Sequence, residues 1–279
     1  MDDTAVAFLV IPFLVTLILS GIHVYLGLHV LSRGIIFVDL ALAQVAALGT
    51  TVAFLAGHEV DSIPAYEYAL AFTLTGAVLF SATRNLATRV PQEALIGIVY
   101  VVASAAMILA VDRAPHGAEH IQALLVRDIL WVQDWTVAGK LAGIYAAIGA
   151  FHWAFRGRLL QATFEPQHLS RAQLFLWDLL FYATFGVVVT SSVQVAGVLL
   201  VFSYLMIPSV MAAIVTRSIA ARLTVGWASA FLMSVSGLYL SYRRDLPTGA
   251  TLIVTFGACL MLLGVLVWGL RRSRRSPAQ

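Results

Sequence analysis

Residues 6–30 read VAFLVIPFLVTLILSGIHVYLGLHV, without a single Asp, Glu, Lys or Arg. The run is apolar at successive positions, so a helix made of it is apolar all round instead of along one stripe. An α-helix needs about 20 such residues to cross the ~30 Å hydrocarbon core of a bilayer. A barrel strand would alternate apolar and polar side chains over about ten residues, and this stretch does not. Comparable runs follow at 35–57, 66–83, 94–111, 137–155, 173–191, 194–216, 223–241 and 248–270. The reading is an all-α, polytopic membrane protein with nine crossings, or eight if the run containing Gly197 and Pro208 is bent or re-entrant. Composition agrees: 61% of the 279 residues are hydrophobic and 11% charged, more apolar surface than a soluble domain of this size can bury.

A net charge of +3 raises the question of a nucleic-acid partner. The placement of the arginines answers it. When nine spans alternate, Arg33, Arg84, Arg89, Arg156, Arg158, Arg171, Arg217, Arg222, Arg271, Arg272, Arg274 and Arg275 all fall on one side, while most acids between spans fall on the other. Excess Lys and Arg marks the cytoplasmic side. That places the C-terminus inside and makes anionic lipid, not nucleic acid, the partner of these charges. The lone Cys259 excludes a disulfide within the chain. No linker or low-complexity block divides residues 1–279, which are read as one membrane domain.

The longest polar connection on the cytoplasmic side is 156–174, RGRLLQATFEPQHLSRAQL. Proline suits the first turn of a helix, and Glu165 beside it faces the positive helix end. Pro166 to Gln173 is thus expected to form a short cytoplasmic helix, able to dock on a partner or to lie on lipid headgroups.

Three stretches resemble the metal-transporting permeases of the ABC-3 type: LSRGIIFVDLALAQVAALG at 31–49, ATFEPQHLSRAQLFLWDLL at 162–180, and SSVQVAGVLLVFSYLMIPSVMAAIVTRS at 191–218. The resemblance implies a subunit of a zinc, manganese or iron importer in a bacterial plasma (inner) membrane. It would pair with a second permease chain, in a homodimer, around a central pathway. Its partners would be cytoplasmic ATP-binding subunits and an extracytoplasmic metal-binding protein. It further implies that the segment of about 162–174 is the coupling segment, with Glu165, Pro166, Gln167, His168, Leu169, Ser170 and Arg171 meeting the ATPase. The chain carries no G-x-x-x-x-G-K-[ST] phosphate loop, so ATP would be hydrolysed by the partner and no cofactor need be held permanently. An ABC permease for a chelated metal or a corrinoid, or a secondary metal transporter working alone, is the alternative.

Ionisable groups inside a span cost ~2.5–3.5 kcal/mol on insertion scales and ask for a reason. Asp39 and Asp178 are the two that lie clearly within runs. Permeases of this family typically carry Asp-x-x-x-His at the position of Asp39. Here the fourth following residue is Ala43, and a one-residue shift puts Gln44 where the histidine belongs. Asp39 and Gln44, with Gln194 and the carbonyls that Pro208 would free, are the candidates for the translocation pathway. Asp178 is read as a packing and hydrogen-bonding acid near the cytoplasmic boundary. Among seven histidines, His116 and His120 stand with Glu119 in the external PHGAEHIQ loop, where a helix would gather the three on one face as metal ligands, while Asp39 is a separate metal candidate within its span. An H-x-x-E-H string also occurs in inverted zinc peptidases, but no convincing second catalytic group accompanies it, and the chain is read as a transport subunit and not an enzyme.

Overall fold

The computed structural model describes residues 3–84, 90–112, 127 and 129–273. Among the described residues there are ten α-helices and no strand: α1 (Asp3–Arg33), α2 (Val38–Leu55), α3 (Ile63–Thr83), α4 (Gln92–Val111), α5 (Trp135–Ala154), α6 (Arg156–Phe164), α7 (Arg171–Ala196), α8 (Val198–Val215), α9 (Ile219–Arg244) and α10 (Thr248–Ser273). All-α and polytopic is therefore correct. Eight of them are long and apolar enough to cross a membrane. Of the other two, α6 has only nine residues, and α5 is a 20-residue helix whose apolar character is diluted by Lys140, Tyr145 and His152. Its 20 residues would rise about 30 Å. Just before it, Gln133 Nε2 donates to the Phe8 carbonyl near the start of α1, and near its other end His152 meets Tyr25 and Thr184. It thus runs alongside α1.

Helices α2, α3, α4 and α7 pack as one group, α1, α8, α9 and α10 as another, and α5 leans on α1 and α7. Hydrocarbon tails are as apolar as leucine, so helices in a bilayer are held by close approach and by interhelical hydrogen bonds. Both are present. A Cβ on Gly27 of α1 would sit 2.1 Å from the Leu205 carbonyl oxygen of α8, so only glycine allows that contact. Hydroxyls bridge Thr73 to Thr190 (3.0 Å) and Tyr204 to Ser234 (2.7 Å).

The separate crossings over 173–191 and 194–216 are resolved by one residue. Gly197, at φ 75° and ψ 159°, ends α7 and starts α8, a backbone conformation essentially confined to glycine. Helix α7 accordingly runs on to Ala196, past the expected stop near 191. Pro208 does not interrupt α8. Gly197→Ala is expected to lower stability by ~1–3 kcal/mol, seen as a lower unfolding temperature of the detergent-solubilised protein. An unchanged temperature would mean the corner relaxes without strain.

Candidate functional site

Helix α2 starts after a turn at Gly34 (φ 66°), which sends the chain back across the layer. Its N-terminal end is served by Glu93 of α4, whose Oε1 accepts from the Phe37 N–H at 2.9 Å. An acid at a helix N-terminus is favourable, and that duty is therefore filled by a residue other than Asp39. Asp39, in the first turn of α2, is fully buried, and neither carboxylate oxygen has a hydrogen-bond partner among the described residues. Gln44 is also buried, with its Oε1 unpartnered. Five residues separate the two, about 7.5 Å along the helix and ~140° around it, so they do not share a face. Buried polar atoms are nearly always paired. Two unpaired acceptor groups on the most enclosed of the candidate spans are what a cation-accepting pathway offers.

The expected helix at Pro166–Gln173 is corrected by the structure. The short helix precedes the proline: α6 spans Arg156–Phe164, Pro166–His168 forms one 3-10 turn, and Leu169 is extended. The residues from Arg171 onward already belong to α7. The reason is a reciprocal cap. Ser170 Oγ accepts from the Gln173 N–H at 3.3 Å, and the Gln173 side chain accepts from the Ser170 N–H at 3.1 Å, fixing the start of α7 at that point. The segment remains an outward-facing knuckle. Glu165, Gln167, His168, Ser170 and Arg171 are exposed, Pro166 and Leu169 half-buried, and Glu165 pairs with His168 at 3.2 Å. Beneath it, Leu159, Ala162 and Thr163 bury α6 against the bundle.

Below this knuckle lies a buried ionic cluster that sequence reasoning missed. Asp178 is a packing acid as expected, but its partners are Arg33 and Arg84, both earlier assigned to the membrane surface. Asp178 Oδ1 accepts from Arg33 Nη1 at 2.8 Å and from Arg84 Nη1. Arg84 Nη2 also donates to the Ala162 carbonyl (2.9 Å), and Arg33 Nε to Thr163 Oγ1 (3.1 Å). The Arg33 guanidinium stands 4.0 Å from the Phe181 ring centroid, a favourable placement for a cation. The ends of α1 and α3, the start of α7 and the last turn of α6 thus meet at one carboxylate. An acid that deep in an apolar run needs a cation, and only span-end arginines were available to supply it.

The remaining candidates lie apart. Gln194 lines a cleft of about 590 Å³ at the opposite end of the bundle, together with Tyr66, Lys140, Asp134 and the Arg127–Asp61 pair (2.8 Å). Two hydrogen bonds from Thr136 hold the Asp134 carboxyl below its ordinary pKa there. Pro208 is buried against α9, its carbonyl beside Gly226. His116, Glu119 and His120 fall outside the described residues. Among the described residues no three His, Cys, Asp or Glu side chains gather as a metal site. His23 bonds to Leu19 and Ser192, His29 to Thr163, and His152 to Tyr25 and Thr184, which makes them packing histidines.

A model of the ABC 3 transport family matches residues 5–267. A probable iron transport system membrane protein of Haemophilus influenzae is 26% identical over 255 residues, covering 89% of this chain and 90% of its own. The manganese transport system membrane protein MntB of Synechocystis is 27% identical over 171 residues, 60% of this chain and 55% of its own. Among solved structures, PsaBC from Streptococcus pneumoniae in complex with Fab matches with a TM-score of 0.71 at 19% identity, over 92% of this chain and 90% of that one. An inward-facing putative metal-chelate type ABC transporter matches with a TM-score of 0.64 at 17% identity, over 95% and 90%. At these identities the two structures speak for the fold alone.

Proposed function

Because the chain belongs to the ABC 3 transport family, we propose that it is the membrane-spanning permease of an ATP-driven importer of a divalent transition metal, with manganese and iron the first candidates. Residues 1–279 act as one membrane domain. Two copies enclose the pathway, two cytoplasmic ATP-binding subunits dock on the 162–174 knuckle, an extracytoplasmic binding protein delivers the ion, and the C-terminus is cytoplasmic. The names of the iron and manganese relatives support the choice of metal.

The observation that carries the reading is Asp39, a fully buried carboxylate without a hydrogen-bond partner among the described residues. Burying an unpaired charge is costly, and a divalent cation offsets that cost by direct coordination to oxygen. With Gln44 in place of an imidazole the site is weak, as a conduit that must release its ion requires. Gln194, at the opposite end of the bundle, serves as a polar contact on the way to Asp39.

Copurification tests the architecture. The tagged chain, extracted from its native membrane, is expected to bring down a subunit bearing a phosphate-binding loop, and recovery of a transport-competent chain alone would favour a secondary transporter. Topology has its own test. A cysteine at Gln167, exposed on the knuckle, should react with an impermeant maleimide in inside-out vesicles and stay unlabelled in intact cells. Labelling from outside would reverse the orientation.

A further inference from the structure

The Arg33–Asp178–Arg84 cluster has an unusual division of bonds. Both arginines share Asp178 Oδ1, while Asp178 Oδ2 and Arg33 Nη2, each buried, have no hydrogen-bond partner among the described residues. An arginine and a carboxylate pair best as a two-toothed fork, with two parallel N–H···O bonds. Arg33 and Asp178 have one bond made and the atoms for the second unused. The arginine drawn onto the shared oxygen is Arg84, which also holds the Ala162 carbonyl of α6.

We infer that Arg84 is a latch between the coupling knuckle and the pathway helices, and that Arg33 and Asp178 are the pair that closes into a fork when Arg84 leaves. In the arrangement described here Arg84 ties α6 to the end of α3. A displacement of α6 that carries off the Ala162 carbonyl removes one of its anchors. Asp178 then exchanges the Arg84 bond for a second bond from Arg33, so the buried carboxylate is never left without a cation. Leaving it so would be strongly unfavourable. Freed of the latch, α3 can shift against α2, and α2 bears Asp39. The two are in contact through Gly49, where a Cβ would lie 2.7 Å from the Tyr68 carbonyl oxygen. The cluster therefore offers two discrete arrangements in each of which Asp178 keeps Arg33 as its cation while Arg84 is held in one and released in the other, which is what transmission of a movement requires. Arg33, Arg84 and Asp178 are positioning residues in this scheme and touch no substrate.

The inference rests on the proposed function, and the test separates the two. The permease is reconstituted in proteoliposomes with its ATP-binding subunits and metal-loaded binding protein, and metal ions taken up per ATP hydrolysed are measured. If the wild type shows no ATP-driven uptake, the proposed function fails. With a coupled wild type, Arg84→Gln and Arg33→Lys are each expected to keep ATP hydrolysis while the ratio falls about fivefold or more, within the range of ordinary coupling energies. Lysine at position 33 retains the charge but cannot form the fork. A role in charge balance alone would leave the Arg33→Lys ratio at the wild-type value, and that result overturns the inference. Thr163→Val serves if an arginine variant fails to assemble. It cuts the bond between Arg33 and α6 (3.1 Å) without altering any charge and so frees Arg33 to close the fork on Asp178 whatever α6 does. The ratio is expected to fall there too, and an unchanged ratio overturns the inference that α6 controls the fork.

Discussion

Asp39→Asn is expected to abolish most metal uptake while leaving the protein folded and inserted. The substitution keeps size and one acceptor oxygen but removes the charge. No donor among the described residues bonds to the carboxylate, so no hydrogen bond seen there is lost, and removing a buried unpaired charge should raise stability if it changes it at all. What is lost is the interaction with a passing cation. A bond to a charged partner contributes about 1.5–3 kcal/mol, which corresponds to a tenfold or larger fall in uptake. Asp39→Glu retains the charge on a longer stem and should keep part of the activity. Near-normal uptake by the Asn variant at matched incorporation would make Asp39 structural and move the pathway toward Gln194 and its cleft.

Glu165→Arg is expected to produce the second large loss, by a different route. Glu165 stands at the tip of the knuckle, exposed and paired with His168. The change should leave insertion and thermal stability as they are, because an exposed ion pair contributes little. A partner surface shaped to meet an acid instead meets a cation, and like charges brought together at an interface cost several kcal/mol. Uptake and substrate-stimulated ATP hydrolysis should therefore fall together, by about tenfold, with less ATPase copurifying. This differs from the latch variants, in which hydrolysis continues while uptake per ATP falls. Wild-type uptake by Glu165→Arg at equal expression would remove the knuckle from the docking surface.

How much of this was legible depended on the range of the interaction involved. Spans were legible because twenty apolar residues in a row have one physical outcome in a bilayer, and the run from Val6 to Val30 sufficed to set the class. The knuckle was legible as a place but not as a shape. Pro166 was credited with opening a helix, whereas Ser170 and Gln173, three apart, carry the reciprocal cap that starts α7. That signal was present in the sequence and outweighs a proline preference, since it satisfies two backbone donors at once. Helix α5 was expected as a span; it lies beside α1 but is not among the eight helices apolar enough to cross by composition, because Lys140 and His152 dilute it.

The ionic cluster was not legible, for a reason of scale. Asp178 lies 145 residues from Arg33 and 94 from Arg84, and no local pattern links them. Both arginines also had a sufficient explanation as cytoplasmic end charges. Asp39 stood out in the sequence as an acid within an apolar run, but its unpaired state did not. Its cause became visible only in three dimensions: Arg33 turns toward Asp178, and Glu93 occupies the N-terminal end of α2.

The most direct test is uptake by the complete complex in proteoliposomes, with permease, ATP-binding subunits and binding protein, using labelled manganese and iron with zinc as competitor. Accumulation is expected to require ATP and the binding protein, to be saturated by an unchelated divalent transition metal, and to be lost in Asp39→Asn. Accumulation without ATP, or of a metal chelate to the exclusion of the free ion, would contradict it.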